Sequence, residues 1–241
     1  WDFSGLEVLD STTLEVQNFS NADLSVQLAL LSAGPDHFYP FLNIPDFGGG
    51  EEGMELPIEL DDVMGHHQVG NGTYNQVGLS INVMGLPLTT AFDDIDEMYP
   101  VPLTVDASLE STASYVFEIP FPVVFTYAVD QQRSSVVDGY GTLLLPDGTS
   151  HEVLRLKSTV VSNDSVYVEL EGEGQGQSFV RETVTYAWIG DGGMPWMEVT
   201  EVFGFPTLLR YQGSAPSEPN DAVTERTTAP DPFPNPTRLG Q

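Results

Sequence analysis

The sequence predicts an all-β fold, an antiparallel β-sandwich with jelly-roll-like or Greek-key connections, and a partly open β-barrel is the alternative. Three observations favour this fold class. Apolar and polar residues alternate in many short segments that are rich in β-branched residues. The 23 glycines and 18 prolines suit the many turns of such a fold. Helix signals are nearly absent, while a hydrophobic content of 40% is enough to build a sizeable core.

The alternating segments predict roughly a dozen short strands, at the spacing that is typical of a sandwich or barrel. They cover residues 14–17, 24–28, 54–60, 77–83, 115–119, 123–129, 140–145, 151–161, 165–171, 179–189, 197–203 and 207–211. The turn residues Pro146-Asp147-Gly148 predict a hairpin that runs from Gly139 to Val161. A short helical turn is predicted from Phe92 to Met98, where Asp93 and Asp94 are suited to capping.

A change of composition after Gln212 divides the chain. Residues 1–212 carry the alternation and form the β-sandwich domain, as one unit or as two subdomains. Residues 213–231 are rich in Ser, Pro, Thr, Ala and acidic residues, which predicts a flexible linker. Residues 232–241 follow as a short tail. The glycine-rich stretches Gly48–Gly53 and Gly172–Gln177 are expected to be loops, the second of them in a hairpin.

The charge of the chain restricts its partners. The sequence has 36 acidic against 7 basic residues, a formal net charge of −29. Such a chain repels phosphate backbones and anionic lipids, so nucleic acid is not an expected partner. The sequence contains no apolar run of about eighteen residues, so no transmembrane segment is predicted. The acidity fits adaptation to salt or divalent cations, or simply the solubility of the protein.

The tail carries a motif, an aromatic residue followed by Pro-Asn-Pro-Thr, at Phe233-Pro234-Asn235-Pro236-Thr237. This motif, placed after a Pro/Thr-rich linker, resembles the opening of the type A C-terminal sorting domain of the type IX secretion system. Residues 99–115, 137–157 and 186–196 resemble segments of uncharacterised exported bacterial proteins that bear such tails. The resemblance implies export through the periplasm to the outer cell surface or the medium. It also implies that the type IX machinery is a partner, with Phe233, Pro234, Asn235 and Pro236 as the sorting signal.

Calcium is the cofactor candidate, because Asp93, Asp94, Asp96 and Glu97 concentrate hard oxygen ligands within five positions. The spacing of these acidic residues does not match an EF-hand, and a chain this acidic also forms such clusters by chance. The histidines His37, His66, His67 and His151 are expected to be exposed loop residues and not metal ligands. Adjacent side chains on a strand point in opposite directions, so His66 and His67 are poorly placed to hold one ion.

No catalytic residue is predicted. The segment Glu59-Leu60-Asp61-Asp62 approaches the acidic strand of jelly-roll glucanases, but Val63 and Met64 stand where a second glutamate is needed. Serine-hydrolase, aspartic-protease, P-loop and dinucleotide motifs are absent from the sequence. The sequence does not decide whether the chain is an enzyme, although it favours a non-enzymatic protein.

Trp188 and Trp196 bracket a glycine-rich loop and are the ligand-binding candidates, since exposed aromatic rings can bind carbohydrate. A core role for Trp188 is the competing interpretation, because Tyr186 and Trp188 share one face of an alternating strand. The sequence therefore favours a secreted or cell-surface protein of binding or adhesion function, with an extracellular glycan or protein as its ligand. The alternatives are an extracellular polymer hydrolase of the glycosidase type and a structural surface protein.

Overall fold

A computed structural model describes residues 1–7, 15–41, 60–83, 85–120, 124–170, 172–190 and 194–213. It confirms an all-β antiparallel fold. The strands are β1 (Gln17–Asn18), β2 (His37–Pro40), β3 (Leu60–Gly70), β4 (Thr73–Val83), β5 (Leu86–Pro100), β6 (Ser108–Ile119), β7 (Val124–Leu144), β8 (Ser150–Leu170), β9 (Glu173–Ile189), β10 (Pro195–Val202) and β11 (Phe205–Tyr211). Helix among the described residues is limited to α1 (Leu24–Ala29) and a 3₁₀ turn, Phe19–Asn21, and neither is long and apolar enough to cross a membrane.

The eleven strands form one sheet in which each strand pairs with its neighbours in the chain. This meander differs from the jelly-roll and Greek-key connections that we expected, neither of which occurs among the described strands. Alternation identifies strands but carries no information on their order, whereas short turns favour pairing between consecutive strands. Asn71 and Gly72, for example, both adopt positive φ in the two-residue turn between β3 and β4.

The predicted hairpin around Pro146-Asp147-Gly148 is confirmed and extends further than expected, since β7 and β8 pair from Val124 opposite Glu169 to Leu144 opposite Ser150. The turn is closed by two backbone bonds, from Gly148 N–H to the Leu145 carbonyl (3.0 Å) and from Leu145 N–H to the Thr149 carbonyl (2.9 Å). The Asp147 carboxylate accepts from the Thr149 N–H at 3.0 Å, which is the local bond that makes Asp favourable in a turn.

Two local predictions were wrong. Residues 24–28, predicted as a strand, lie in α1, because Val26 and Leu30 are buried at helical spacing while Leu24 and Leu28 are exposed. Phe92–Met98, predicted as a helical turn, belongs to β5. There the backbone pairs with β4 on both sides of an irregularity and with β6 at Asp94 opposite Ser114, so sheet pairing overrides the capping signal.

The sheet folds back on itself, so that its first half packs on its second half. One apolar cluster joins Val63, Leu79 and Ile81 of β3 and β4 to Phe117 and Phe125 of β6 and β7. A second cluster joins Tyr74 and Tyr99 of β4 and β5 to Leu156 and Ile189 of β8 and β9. The enclosed surface is called the inner face, and the opposite surface of β7 to β11 is the outer face.

Candidate functional site

The outer face of β7, β8 and β9 contains a shallow depression of about 210 Å³. It is lined by Thr126, Ala128, Ser165, Val166, Tyr167, Gly176, Gln177 and Ser178. Val166 belongs to the core cluster behind the sheet, whereas Ser165, Tyr167 and Ser178 are exposed. The floor of this depression, the outer groove, is therefore built from small side chains on neighbouring strands.

Tyr167 supplies the aromatic wall of the outer groove. Its ring lies across Gly174 and Gly176 of the neighbouring strand, and a Cβ on Gly174 would collide with the phenol. The phenol donates to the Glu169 carboxylate at 2.9 Å, and this bond raises the pKa of Tyr167. The glycine-rich stretch 172–177, expected as a loop, is in strand from Glu173 onward, and its glycines make room for this ring.

Hydroxyl groups supply the polar part of the outer groove. The Ser165 and Ser178 hydroxyls lie 2.7 Å apart across β8 and β9. Thr126 faces Tyr167 across β7 and β8, whereas Gln177 lies opposite the core residue Val166, so its side chain is on the other face of the sheet. An aromatic ring bordered by neutral hydrogen-bonding groups can bind an uncharged, hydroxyl-rich ligand.

The predicted ligand-binding tryptophans lie elsewhere. Trp188 is only 4% exposed, in a cluster with Leu143 and Met197, and the rings of Trp1 and Phe3 meet its ring edge-on at 6.0 and 5.4 Å. Its indole is therefore covered, as the competing core interpretation held. Trp196 is partly buried, and its ring stacks on the His151 imidazole at 3.5 Å between centroids.

The first residues of the chain form a strap over this aromatic cluster. Trp1 and Phe3 exchange backbone hydrogen bonds with Leu144 at 2.8 and 2.9 Å, along the part of β7 that extends past its pairing with β6. The Trp1 ring lies against Gly139, where a Cβ would stand 3.0 Å from it, and the Arg155 guanidinium lies 5.5 Å from its centroid. Arg155 in turn holds Asp138 with two hydrogen bonds, of 2.7 and 3.0 Å.

The predicted calcium ligands point to different partners along β5. Asp96 is 2% exposed and accepts two hydrogen bonds from Arg133, at 2.7 and 2.6 Å. Asp94 accepts from the Thr112 hydroxyl at 2.6 Å, and Asp93 is exposed. Glu97 is partly buried, and its backbone carbonyl accepts from the Ser111 hydroxyl at 2.7 Å. No group of three or more acidic or histidine side chains suited to a metal ion occurs in the described part of the chain.

Three histidines lie in the core, not in exposed loops as expected. His37, His66 and His67 are between 1% and 4% exposed. His66 bonds to the Ser80 hydroxyl at 2.8 Å, while His67 lies on the opposite side of β3, stacked on Tyr39 at 4.4 Å. Burial lowers the pKa of His37 and of His66 to about 4 and lowers that of His67 well below its usual value, so these rings are neutral near pH 7.

The phenols beside the histidines are shifted in the opposite sense. His37 Nε2 lies 3.1 Å from the Tyr74 hydroxyl, which donates to Tyr39 at 3.3 Å. Burial raises the pKa of Tyr39 to about 12 and also raises the pKa of Tyr74 and Tyr99. These three histidines and three tyrosines are therefore uncharged near pH 7. No sequence signal marked these histidines as buried, because their partners come from different strands.

The sorting residues Phe233, Pro234, Asn235 and Pro236, the linker from residue 214 onward and the glucanase-like Glu59 lie outside the described residues. No family model, no curated protein and no solved structure matches the chain.

Proposed function

We propose that this protein is a non-enzymatic binding or adhesion protein of the cell surface, and that it binds carbohydrate in the outer groove. The observation that carries the proposal is the combination of Tyr167, 39% exposed, with the hydroxyls of Ser165 and Ser178 on one open sheet surface. An aromatic ring offers an apolar contact to the faces of a sugar, and the hydroxyls offer hydrogen bonds.

The volume of the outer groove limits the size of the ligand that it can bind. Ligand pockets usually enclose ~300–1,000 Å³, whereas the outer groove has about 210 Å³ and is open to solvent. The outer groove is therefore large enough for one sugar unit of a longer glycan, and it binds that unit weakly. Useful adhesion by such a site requires many copies side by side, which surface display of the protein would provide.

Binding without hydrolysis is favoured by the chemistry of the groove. Glycoside hydrolysis needs two carboxylates, ~5–10 Å apart, on either side of the scissile bond. Among the described residues, the lining of the groove contains no carboxylate, and Glu169 beside it is bonded to the Tyr167 phenol.

The test is a glycan array probed with the intact chain and with Tyr167→Ala, in calcium and again in chelator. Tyr140→Ala is the matched control, because Tyr140 is 72% exposed on β7 but lies outside the groove. We expect a glycan that binds the intact chain and Tyr140→Ala and loses roughly tenfold in affinity with Tyr167→Ala, as for one stacking contact of about 1.4 kcal/mol. Equal binding by all three proteins would refute the groove as the site, and release of shortened glycan would refute the non-enzymatic assignment.

The surface location rests on the resemblance of residues 233–237 to a sorting signal. In a host with the type IX machinery, truncation after Gln212 should leave the protein in the periplasm. The same truncation should change the free energy of unfolding by less than ~1 kcal/mol, because it removes no residue of the described core. Normal export of the truncated chain would contradict the assignment of the tail.

A further inference from the structure

The last strand of the sheet, β11, is largely apolar and contains no acidic residue. Phe205 is 74% exposed and Leu209 45% exposed on β11, and Phe203 in the preceding turn is 62% exposed. In a chain with 36 acidic residues, β11 contains none. Its single charge, Arg210, is held by the Glu198 carboxylate of β10, on the side away from the free edge.

The backbone of β11 offers hydrogen bonds at this edge. Gln212 N–H donates to the Trp196 carbonyl at 2.8 Å, and Arg210 lies opposite Glu198. Because backbone groups alternate sides along a strand, Leu209 and Tyr211 direct their N–H and C=O away from β10. These groups have no backbone partner within the described part of the chain. At the other edge of the sheet, β1 has only two residues, so β11 is the longer open edge.

We propose that β11 pairs antiparallel with β11 of a second copy of this chain, about a two-fold axis at Leu209. This register places Leu209 opposite Leu209 of the second copy and Tyr211 opposite Thr207 of the second copy. It joins the two free edges through the outward backbone groups and brings the exposed apolar side chains together on one surface. Pro206 has no N–H to donate, so the pairing begins at Thr207.

At this edge a second copy meets no acidic residue of β11. Two molecules of net charge −29 repel each other over most approaches. In the approach along β11 no carboxylate of one strand faces a carboxylate of the other, so the two strands add no repulsion of their own. Salt should therefore strengthen the pairing, because it screens the remaining repulsion between the two molecules.

The size of the surface predicts a weak complex. The exposed parts of Phe203, Phe205 and Leu209 amount to roughly 350 Å² per copy, taking ~200 Å² for an aromatic side chain. Two copies would bury at most roughly 700 Å² of this surface, below the ~1,200 Å² of stable interfaces. We therefore expect a dissociation constant between ~10 µM and ~1 mM, which becomes important where copies are crowded together.

The experiment is sedimentation velocity on the full chain, from about 1 to 500 µM, at about 0.02 M and 1 M sodium chloride. The expected result is a shift from monomer toward dimer with concentration, stronger at high salt. Leu209→Lys should weaken association at least tenfold, because a charge on an edge strand opposes pairing. Phe205→Lys is the second variant, at a position too exposed to affect folding, and Tyr140→Lys is the control for charge.

Hydrogen exchange of the Leu209 and Tyr211 amides gives the second readout. Both amides should be protected at high protein concentration and exchange quickly at about 1 µM. Protection already at the lowest concentration would mean that the chain covers its own edge, and would overturn the proposal. A wild-type protein that stays monomeric at 500 µM in 1 M salt would also overturn it, as would variants that associate as the wild type does.

Discussion

Arginine pairing decides where charge is tolerated inside this acidic molecule. Each of the four described arginines contacts a carboxylate, at Asp96, Asp138, Asp164 and Glu198. The side chains of the Arg133–Asp96 pair are 11% and 3% exposed, whereas those of Arg155–Asp138 are 28% and 27% exposed. Removing one partner of a buried pair leaves an unpaired charge in a low dielectric, which costs far more than losing a pair at the surface.

Asp96→Ala should therefore lower the free energy of unfolding by about 3–5 kcal/mol, while Asp138→Ala should lower it by about 1 kcal/mol or less. Urea denaturation at pH 7 with circular dichroism measures both values. Similar losses of unfolding free energy for the two variants would mean that Arg133, without Asp96, pairs with another residue or becomes hydrated. The same Asp96 variant also addresses the predicted calcium site, because a calcium-dependent rise in melting temperature that survives Asp96→Ala does not need that carboxylate.

Buried histidines make the protein sensitive to mild acid. The unfolded chain binds a proton at each histidine near pH 6.5, but burial lowers the folded pKa of His37 and His66 to about 4. The unfolded state therefore holds more protons between these values, so stability falls as pH drops from about 6.5 to 4 and is unaffected by these rings above 6.5. The shift corresponds to about 3 kcal/mol per ring at the acid end of this window.

His66→Gln should flatten the fall in stability between pH 6.5 and 4, whatever its effect at pH 7. His151→Gln is the matched control, since it replaces a histidine that lies outside the core, against Trp196. Melting temperatures measured at half-unit pH steps give the pH dependence of each variant. All variants share the same carboxylates, so the contribution of these groups cancels when one variant is compared with another. A His66→Gln slope equal to that of the wild type would show that His66 is charged in the fold.

At the scale of elements, the position of the N-terminal strap depends on Gly139 of β7, because a glycine has no side chain to fill the space. Gly139 leaves the space that the Trp1 ring occupies, and Trp1 and Phe3 in turn cover Trp188. Gly139→Val should displace the ring, shift the tryptophan fluorescence to longer wavelength and cost about 1–3 kcal/mol, as overpacking does. Gly5→Ala is the control, because its Cβ would meet nothing within 4 Å. An unchanged emission spectrum for Gly139→Val would place Trp1 elsewhere in solution.

The same elements show what the sequence could and could not predict. The hairpin of β7 and β8 was predictable because its turn is local and its strands are adjacent in the chain. The buried role of Trp188 was predictable in part, since alternation puts it on one face with Tyr186. The outer groove was not predictable, because Tyr167, Gly174 and Ser178 meet only through the register of β8 with β9. The register of two strands depends on the whole sheet, so it cannot be deduced from the sequence of either strand alone.

At the scale of the whole molecule, excess negative charge opposes the compact state. The chain has 36 acidic and 7 basic residues, so most of its carboxylates have no cation of their own to pair with, and the four described arginines are already paired. Their mutual repulsion is long-ranged at low ionic strength, where the screening length is ~30 Å in 0.01 M salt, and nearly absent in 1 M salt, where it is ~3 Å. Folding concentrates these charges, so screening should favour the folded state.

The melting temperature should therefore rise steadily between about 0.01 and 1 M sodium chloride, and potassium chloride should act equally. Sodium chloride is preferred to sulfate, because sulfate also stabilises proteins through exclusion from their surface. Millimolar calcium, compared with magnesium at the same concentration, separates screening from a specific site: equal effects mean that only charge density matters, and a larger rise with calcium means that a site selects it. A melting temperature that does not respond to any of these salts would show that the surface carboxylates are too dispersed to repel one another, and that the acidity serves solubility alone.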